Sequence, residues 1–205
     1  SLASLESNWW DALNKTDGAA EERINTFLAD ASVHVNELGT PNRAAGEIIL
    51  DVVSDNFSAY RALLDEPELI SREWPEPALS YYIDDLLALA AESRYARVSE
   101  TQELLDVERE LRILAGASRR RDLAFKDYVN AGAGDERILA ALTLVQTHSA
   151  KAIAARRLEL LTKRYERAAD FAAATAARVD YASERLAAAV EPGAVDALLA
   201  QVADQ

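Results

Sequence analysis

The sequence contains no cysteine and no methionine, few glycines and prolines, and far fewer basic than acidic residues. The absence of cysteine excludes disulfides, thiol nucleophiles and cysteine metal ligands. Two histidines are too few for a histidine-rich metal centre. With 22 Lys and Arg against 35 Asp and Glu, the net charge is −13. This balance argues against nucleic acid as a partner, because a general nucleic-acid binder needs a basic face to displace counterions from phosphates.

The motifs of common enzymes and membrane proteins are missing as well. No run reaches the ~18 consecutive apolar residues that a membrane helix needs, so we expect no direct membrane span in this chain. None of the seven glycines lies in a phosphate-binding pattern, and no GxSxG nucleophile turn is present. No Glu-x-x-His pair of the kind found in di-iron bundles occurs. We therefore expect no metal, no cofactor and no catalytic activity.

What the sequence has in abundance is alanine, at 41 of 205 residues. Alanine is the best helix former, and the residues that interrupt helices are scarce, with seven glycines and five prolines. No alternating run of β-branched residues bounded by turns is present, so no strand is predicted. These features predict a single all-α domain over residues 1–205 with long helices.

The positions of the glycines and prolines, which interrupt helices, predict the order of the helices and the linker. The predicted segments are N-terminal helices within 1–64 (among them 19–38 and 41–64), a proline-rich linker over 65–77, a helical hairpin over 78–190 and a short C-terminal helix within 191–205. Gly39 is expected to end a helix in the left-handed conformation. Thr40 is expected to cap the next helix, with Pro41 at its first position.

The longest helices are predicted on either side of the sequence Asn130 to Asp135. No proline occurs between Pro77 and Pro192, so two helices are expected, over about 77–130 and 135–190. Helices of this length must pack lengthwise, and the glycines at 132 and 134 favour a reversal into an antiparallel hairpin. In that hairpin an acidic run lies opposite a basic run, which favours this register. The runs are Glu100, Glu103, Asp106, Glu108 and Glu110, and Arg156, Arg157, Lys163, Arg164 and Arg167.

The alanine-rich segment 168–177 would allow a further helix to approach closely. We therefore expect the shorter N-terminal helices to pack at the open end of the hairpin and to form a four-helix bundle there. The half of the hairpin near the turn would then project as a bare arm of an elongated bundle.

Arg119, Arg120 and Arg121 form the densest basic cluster of the sequence. The antiparallel pairing brings His148 and Lys151 near them, so these five residues form a candidate site for an anion or a partner. The alternative interpretation is a solvated face balanced by neighbouring aspartates, because three consecutive helical positions point in different directions.

Three tryptophans form the second candidate site. Trp9, Trp10 and Trp74 are large anchors that each carry a polar N–H, and together they could bind a small ligand or a partner. Asn56 falls inside the apolar stripe of its helix. A single polar residue at such a position can fix the register of neighbouring helices through a buried hydrogen bond.

The missing Cys and Met are the two most oxidisable side chains, and their absence suits an extracytoplasmic location in the periplasm or anchored to the envelope. The chain begins at Ser1, as a mature secreted protein or a lipoprotein cleaved after its lipidated cysteine would. A fragment excised from a larger protein would look the same. The predicted architecture is similar to extracytoplasmic helical bundles with a long α-hairpin, such as sensory domains and envelope adaptor proteins, although no specific motif is shared.

We therefore expect a non-enzymatic interaction or scaffold module of the bacterial cell envelope, with a processed lipoprotein as one form of this hypothesis. Its partner would be another protein or a second copy of the chain. The alternative is a ligand-sensing helical-bundle domain of a membrane receptor, which would bind a small molecule. In that case the first and last helices should continue into membrane segments.

Overall fold

The computed structural model describes residues 19–65, 78 and 80–189, and these residues form helices and no strand. The helices are α1 (Ala19–Asn36), α2 (Thr40–Leu64), α3 (Ile83–Asn130) and α4 (Asp135–Ala189). The all-α class is confirmed for this part of the chain. The short helices predicted near the two termini and the linker over 66–77 lie outside the described residues.

The connection between α1 and α2 differs from the prediction. Gly39 has a φ of −59° and is the N-cap residue of α2, so the expectations of a left-handed glycine and of a cap at Thr40 were both wrong. The chain leaves α1 earlier, at Asn36, through a turn in which the backbone N–H of Leu38 donates to the carbonyl of Val35. Pro41 lies in the first turn of α2, where no intrahelical donor is needed.

Helix α3 begins later than predicted, at Ile83. The backbone N–H of Tyr82 donates to Oδ2 of Asp85 at 2.8 Å, which is one half of a capping box. This hydrogen bond satisfies a backbone donor ahead of the first helical residue, so the helix starts at this point and not directly after Pro77.

The chain divides into two compact units. Among the described residues, the first unit contains α1 and α2 together with 109–130 of α3 and 135–160 of α4. Its interior holds large apolar side chains from α1, α2 and α4, and Phe27 meets Phe57 edge-to-face at 5.8 Å. The buried members of its two clusters are Ile24, Ala31, Val35, Val53, Phe57, Tyr60, Leu142, Val145 and Ile153.

The turn between α3 and α4 holds the N-terminal helices in place. Gly134 has a φ of +85°, which glycine adopts without strain. Directly after it, Oδ2 of Asp135 accepts hydrogen bonds from the backbone N–H of Gly39 at 3.0 Å and from Nδ2 of Asn42 at 2.9 Å. The prediction that the N-terminal helices pack at the open end of the hairpin was therefore wrong, because they pack at the end closed by this turn.

The second unit contains, among the described residues, 80–108 with most of that stretch in α3, and 161–189 of α4. Glu92 and Arg178 form an ion pair at 3.5 Å, and Tyr81 meets Tyr181 edge-to-face at 6.1 Å. Most of the buried side chains among the described residues of this unit are small, namely Ser93, Ala96, Ala172, Thr175 and Ala182, and Leu89 is the large exception. Small side chains allow two helices to pack closely without further cover. The alanine-rich segment 168–177 belongs to this unit, whereas α1 and α2 belong to the first, so the alanine content of this segment did not indicate where α1 and α2 pack.

Contacts in both units confirm the antiparallel pairing of α3 and α4. In the first unit, Nη1 of Arg137 donates to the carbonyl of Tyr128 at 2.9 Å, and its guanidinium stacks on the Tyr128 ring. In the second unit, the ion pair between Glu92 and Arg178 joins the beginning of α3 to the end of α4, as an antiparallel pair requires. The expected contacts between the acidic run of α3 and the basic run of α4 are wrong for two residues. Arg156 bonds to Leu63 and Glu159 instead. Glu110 is buried, and one of its carboxylate oxygens lacks a hydrogen-bond partner among the described residues.

Within the described part of the chain, one 18-residue stretch of α4 has a mean hydropathy of 1.3, which is enough by length and composition for a helix to cross a membrane. About a third of that stretch, 33%, is buried. Core helices meet the same criterion, so the stretch carries little weight about location.

Candidate functional site

A cleft of about 380 Å³ lies between α2 and α4 in the first unit. Its lining comprises Tyr60 from α2, and His148, Lys151, Ala152, Ala155, Arg156 and Glu159 from α4. On α4, residues three and four positions apart share a face, so His148, Ala152, Ala155 and Glu159 form one row. The two alanines leave space above that row, and Lys151 and Arg156 flank it on opposite sides.

A polar contact between α2 and α4 places Tyr60 over this row. Nδ2 of Asn56 donates to Oγ of Ser149 at 2.9 Å, and Ser149 is almost completely buried. The predicted hydrogen bond of Asn56 within the bundle is confirmed. Because Tyr60 follows Asn56 by one helical turn, the same contact brings Tyr60 to the cleft.

Arg156 joins the wall of the cleft to the end of α2. Its Nε donates to the carbonyl of Leu63 at 3.3 Å, and its Nη1 donates to Oε2 of Glu159 at 2.7 Å. The last carbonyls of a helix have no partner within the helix, so this arginine satisfies one of them. Its side chain is therefore held in a fixed position at the cleft.

Burial shifts the pKa values of two lining groups. Burial raises the pKa of Tyr60, the Arg156 charge opposes this rise and the Glu159 carboxylate adds to it. The phenol is therefore protonated at neutral pH and can donate a hydrogen bond. Burial also lowers the pKa of His148, and the charges of Arg121 and Lys151 lower it further. The imidazole is therefore neutral at pH 7.

The positive charge of the cleft is only partly neutralised. Glu159 pairs with Arg156, and Asp122 pairs with Arg121 at 3.1 Å. Within the described part of the chain, no carboxylate pairs with Lys151. The cleft thus carries about one positive charge beyond its ion pairs, although the chain as a whole is acidic.

The structure brings together three of the five residues of the predicted basic site. Arg121, His148 and Lys151 are near enough that both charges act on the imidazole. Arg119 and Arg120 are exposed and do not line the cleft, because consecutive helical positions diverge. Trp9, Trp10 and Trp74, the other predicted site, lie outside the described residues.

Sequence reasoning missed Tyr60, Arg156 and Glu159. Tyr60 and Arg156 meet only because α2 packs on this part of α4, and the sequence analysis placed α2 at the other end of the hairpin. Asn56 was the available signal. A polar residue among the buried apolar residues of α2 needed a polar partner, such as Ser149, on the facing helix.

A second surface feature lies on α3 within the second unit. Leu87, Tyr95, Val98 and Leu105 form an outward row that we call the apolar stripe, with exposed fractions of 63%, 73%, 67% and 51%. The same stretch of helix buries Leu89, Ser93 and Ala96, two of which are small. On α4, by contrast, none of the described large hydrophobic side chains is exposed.

No group of three His, Cys, Asp or Glu residues that could hold a metal ion occurs in the described ranges. Comparison of the chain with protein-family models, with curated proteins and with solved structures finds no match. Its function has to be argued from these two surfaces.

Proposed function

We propose that this protein is a non-enzymatic helical interaction module and that the apolar stripe of α3 is its docking surface. The supporting observation is the inverted arrangement of side chains on this stretch of helix. A helix at a protein surface ordinarily buries its large apolar residues and exposes polar ones. Here Ala96 is buried while Tyr95 and Val98 are largely exposed. A contiguous exposed apolar patch is typical of a protein–protein contact.

Charge near the stripe indicates the kind of partner. Arg94 is exposed within the stripe, and Arg97 is exposed at its border. A complementary partner is a helix of another protein, with apolar residues along one face and carboxylates beside them to meet these arginines. A second copy of the chain is disfavoured by a net charge of −13, which makes copies repel one another.

Site-specific photocrosslinking in the source cells tests this proposal. The photoreactive residue p-benzoylphenylalanine replaces Val98 in the full chain, and replaces the exposed Ala173 of α4 in the matched control. We expect Val98, but not Ala173, to crosslink to one discrete protein through a peptide that is an amphipathic, acidic helix. Arg94→Glu should lower the yield severalfold. The absence of a discrete product, or a crosslinked peptide from this chain itself, would overturn the proposal.

An extracytoplasmic location is part of the same proposal, with a lipoprotein as one form of it. Its support is the absence of the two most oxidisable residues, Cys and Met, from 205 positions. Fractionation of cells that express the full gene product with a C-terminal tag provides the test. Recovery from the periplasm or envelope is expected, and recovery from the cytosol alone would contradict the location.

A further inference from the structure

We propose that the cleft between α2 and α4 binds a small organic carboxylate. This site is separate from the docking surface and depends on different residues. At about 380 Å³ the cleft lies near the lower end of the volumes of small-molecule sites. It therefore suits a compact ligand.

The two flanking cations supply the recognition of charge. Lys151 is a point charge that lacks a carboxylate partner among the described residues. Arg156 uses Nε for Leu63 and Nη1 for Glu159, and its Nη2 donors remain for a ligand. Because these contacts hold the guanidinium in place, little ordering is needed when an anion binds.

The count of charges favours a monoanion. Glu159 is part of the lining and already neutralises Arg156, so the cleft offers about one unit of positive charge to a ligand. A phosphate dianion would place a second negative charge near the Glu159 carboxylate, which costs free energy in a partly buried site. A single carboxylate matches the charge of Lys151.

The remaining lining groups suit the rest of such a ligand. Ala152 and Ala155 form an apolar floor for a short carbon skeleton. The phenol of Tyr60, whose ordinary pKa is 10.0, is protonated at neutral pH and can donate a hydrogen bond to a carboxylate oxygen. His148 is uncharged and adds no further positive charge.

Isothermal titration calorimetry on the full chain tests the inference, with acetate, butyrate, benzoate and cyclohexanecarboxylate as probes at pH 7. The neutral amides of the same acids and inorganic phosphate serve as comparison ligands. We expect at least one carboxylate to bind saturably, and the matching amide and phosphate to bind at least about tenfold more weakly.

Substitutions locate the site. Lys151→Met, which keeps the length and apolar stem of the side chain, should weaken carboxylate binding by about tenfold. Tyr60→Phe should weaken it severalfold. Lys126→Met removes the same charge from an exposed position outside the cleft and should leave affinity unchanged. Thermal unfolding of each variant verifies that it is folded.

Three results would overturn the inference: no carboxylate binds, phosphate binds as tightly as the carboxylates, or Lys151→Met binds as well as the natural chain. Lys151→Met should not alter crosslinking at Val98. The ligand site and the docking surface can therefore fail independently.

Discussion

The two units make different use of the same pair of long helices. The first unit fills its interior with large side chains such as Val53 and Phe57 of α2 and Leu142 of α4, which pack together with apolar residues of α1. Among its described residues, the second unit buries mainly small ones such as Ala96 and Ala182, and Leu89 is the large exception. In the first unit, too, α3 buries small residues such as Ala117 and Ala124, so the large side chains that distinguish this unit come from α1, α2 and α4. Large residues need cover from several directions, whereas small ones let two backbones close on each other.

The first prediction tests the large-residue interior. Phe57→Ala should lower the free energy of unfolding by about 3–5 kcal/mol, because it leaves a cavity in a packed core. Phe57 is 2% exposed and contacts Phe27 edge-to-face. Urea unfolding provides the measurement. The control is Ile48→Ala on the exposed side of α2, where a change within about 0.5 kcal/mol is expected. Equal losses for the two variants would contradict the assignment of the core.

The second prediction tests the small-residue seam. Ala96→Leu should lower the free energy of unfolding by about 1–3 kcal/mol, because a completely buried alanine has no room for added atoms. Ala91→Leu, at an exposed position on the same helix, should be nearly neutral. If the chain tolerates Ala96→Leu as well as it does Ala91→Leu, the two helices do not pack closely here.

The third prediction concerns Glu110, a buried acidic residue of the first unit. Glu110 is 7% exposed, and its Oε1 has no hydrogen-bond partner among the described residues. Replacing a buried carboxylate by an apolar side chain of similar volume removes the cost of its desolvation, so Glu110→Leu should raise the free energy of unfolding by about 1–2 kcal/mol. Glu108→Leu, at an exposed position, should give no comparable gain. A loss of stability in Glu110→Leu would show that the carboxylate has a stabilising partner.

The fourth and smallest effect concerns the contact between the two loops of the first unit. The hydrogen bonds from Asn42 and from the backbone of Gly39 lower the pKa of Asp135 below its ordinary value of 3.8. Its contribution to stability is therefore complete above pH 3.8 and is lost as the pH falls through the lower folded-state value. Asp135→Asn should reduce stability at pH 7 and flatten its dependence on pH below 4. Thermal unfolding between pH 2 and pH 7 measures both, and an unchanged acid profile would exclude this role.

The helix ends around Gly39 and around the turn at 131–134 could be predicted to within a few residues because local residues determine them, whereas the start of α3 at Ile83 was predicted too early. Pro41 and the glycines around the turn at 131–134 interrupt an otherwise alanine-rich chain, and the helices begin and end near them. The position of α1 and α2 along the hairpin could not be predicted in the same way. An alanine-rich helix face is compatible with two closely packed helices and also with a bundle in which a further helix packs on that face. Only the packing of large residues elsewhere distinguishes the two arrangements.

The candidate site was predictable to the extent that one hairpin brings its residues together. Arg121, His148 and Lys151 lie on α3 and α4, whose antiparallel register followed from the position of the turn. Tyr60 comes from α2, so its place depended on packing that the sequence did not reveal. Arg156 was assigned to the charge pairing of the hairpin, but its guanidinium bonds to the end of α2.

The contact between Gly39 and Asp135 joins residues 96 positions apart in the chain. A ribosome adds about 5–20 residues per second, so α1 and α2 are synthesised about 4–14 s before the start of α4. Throughout that interval the faces of Val53 and Phe57 that later contact α4 lack their partner. Synthesis of this protein therefore includes an interval of seconds in which the apolar faces of its N-terminal segments lack α4, which is long enough for a chaperone to bind them.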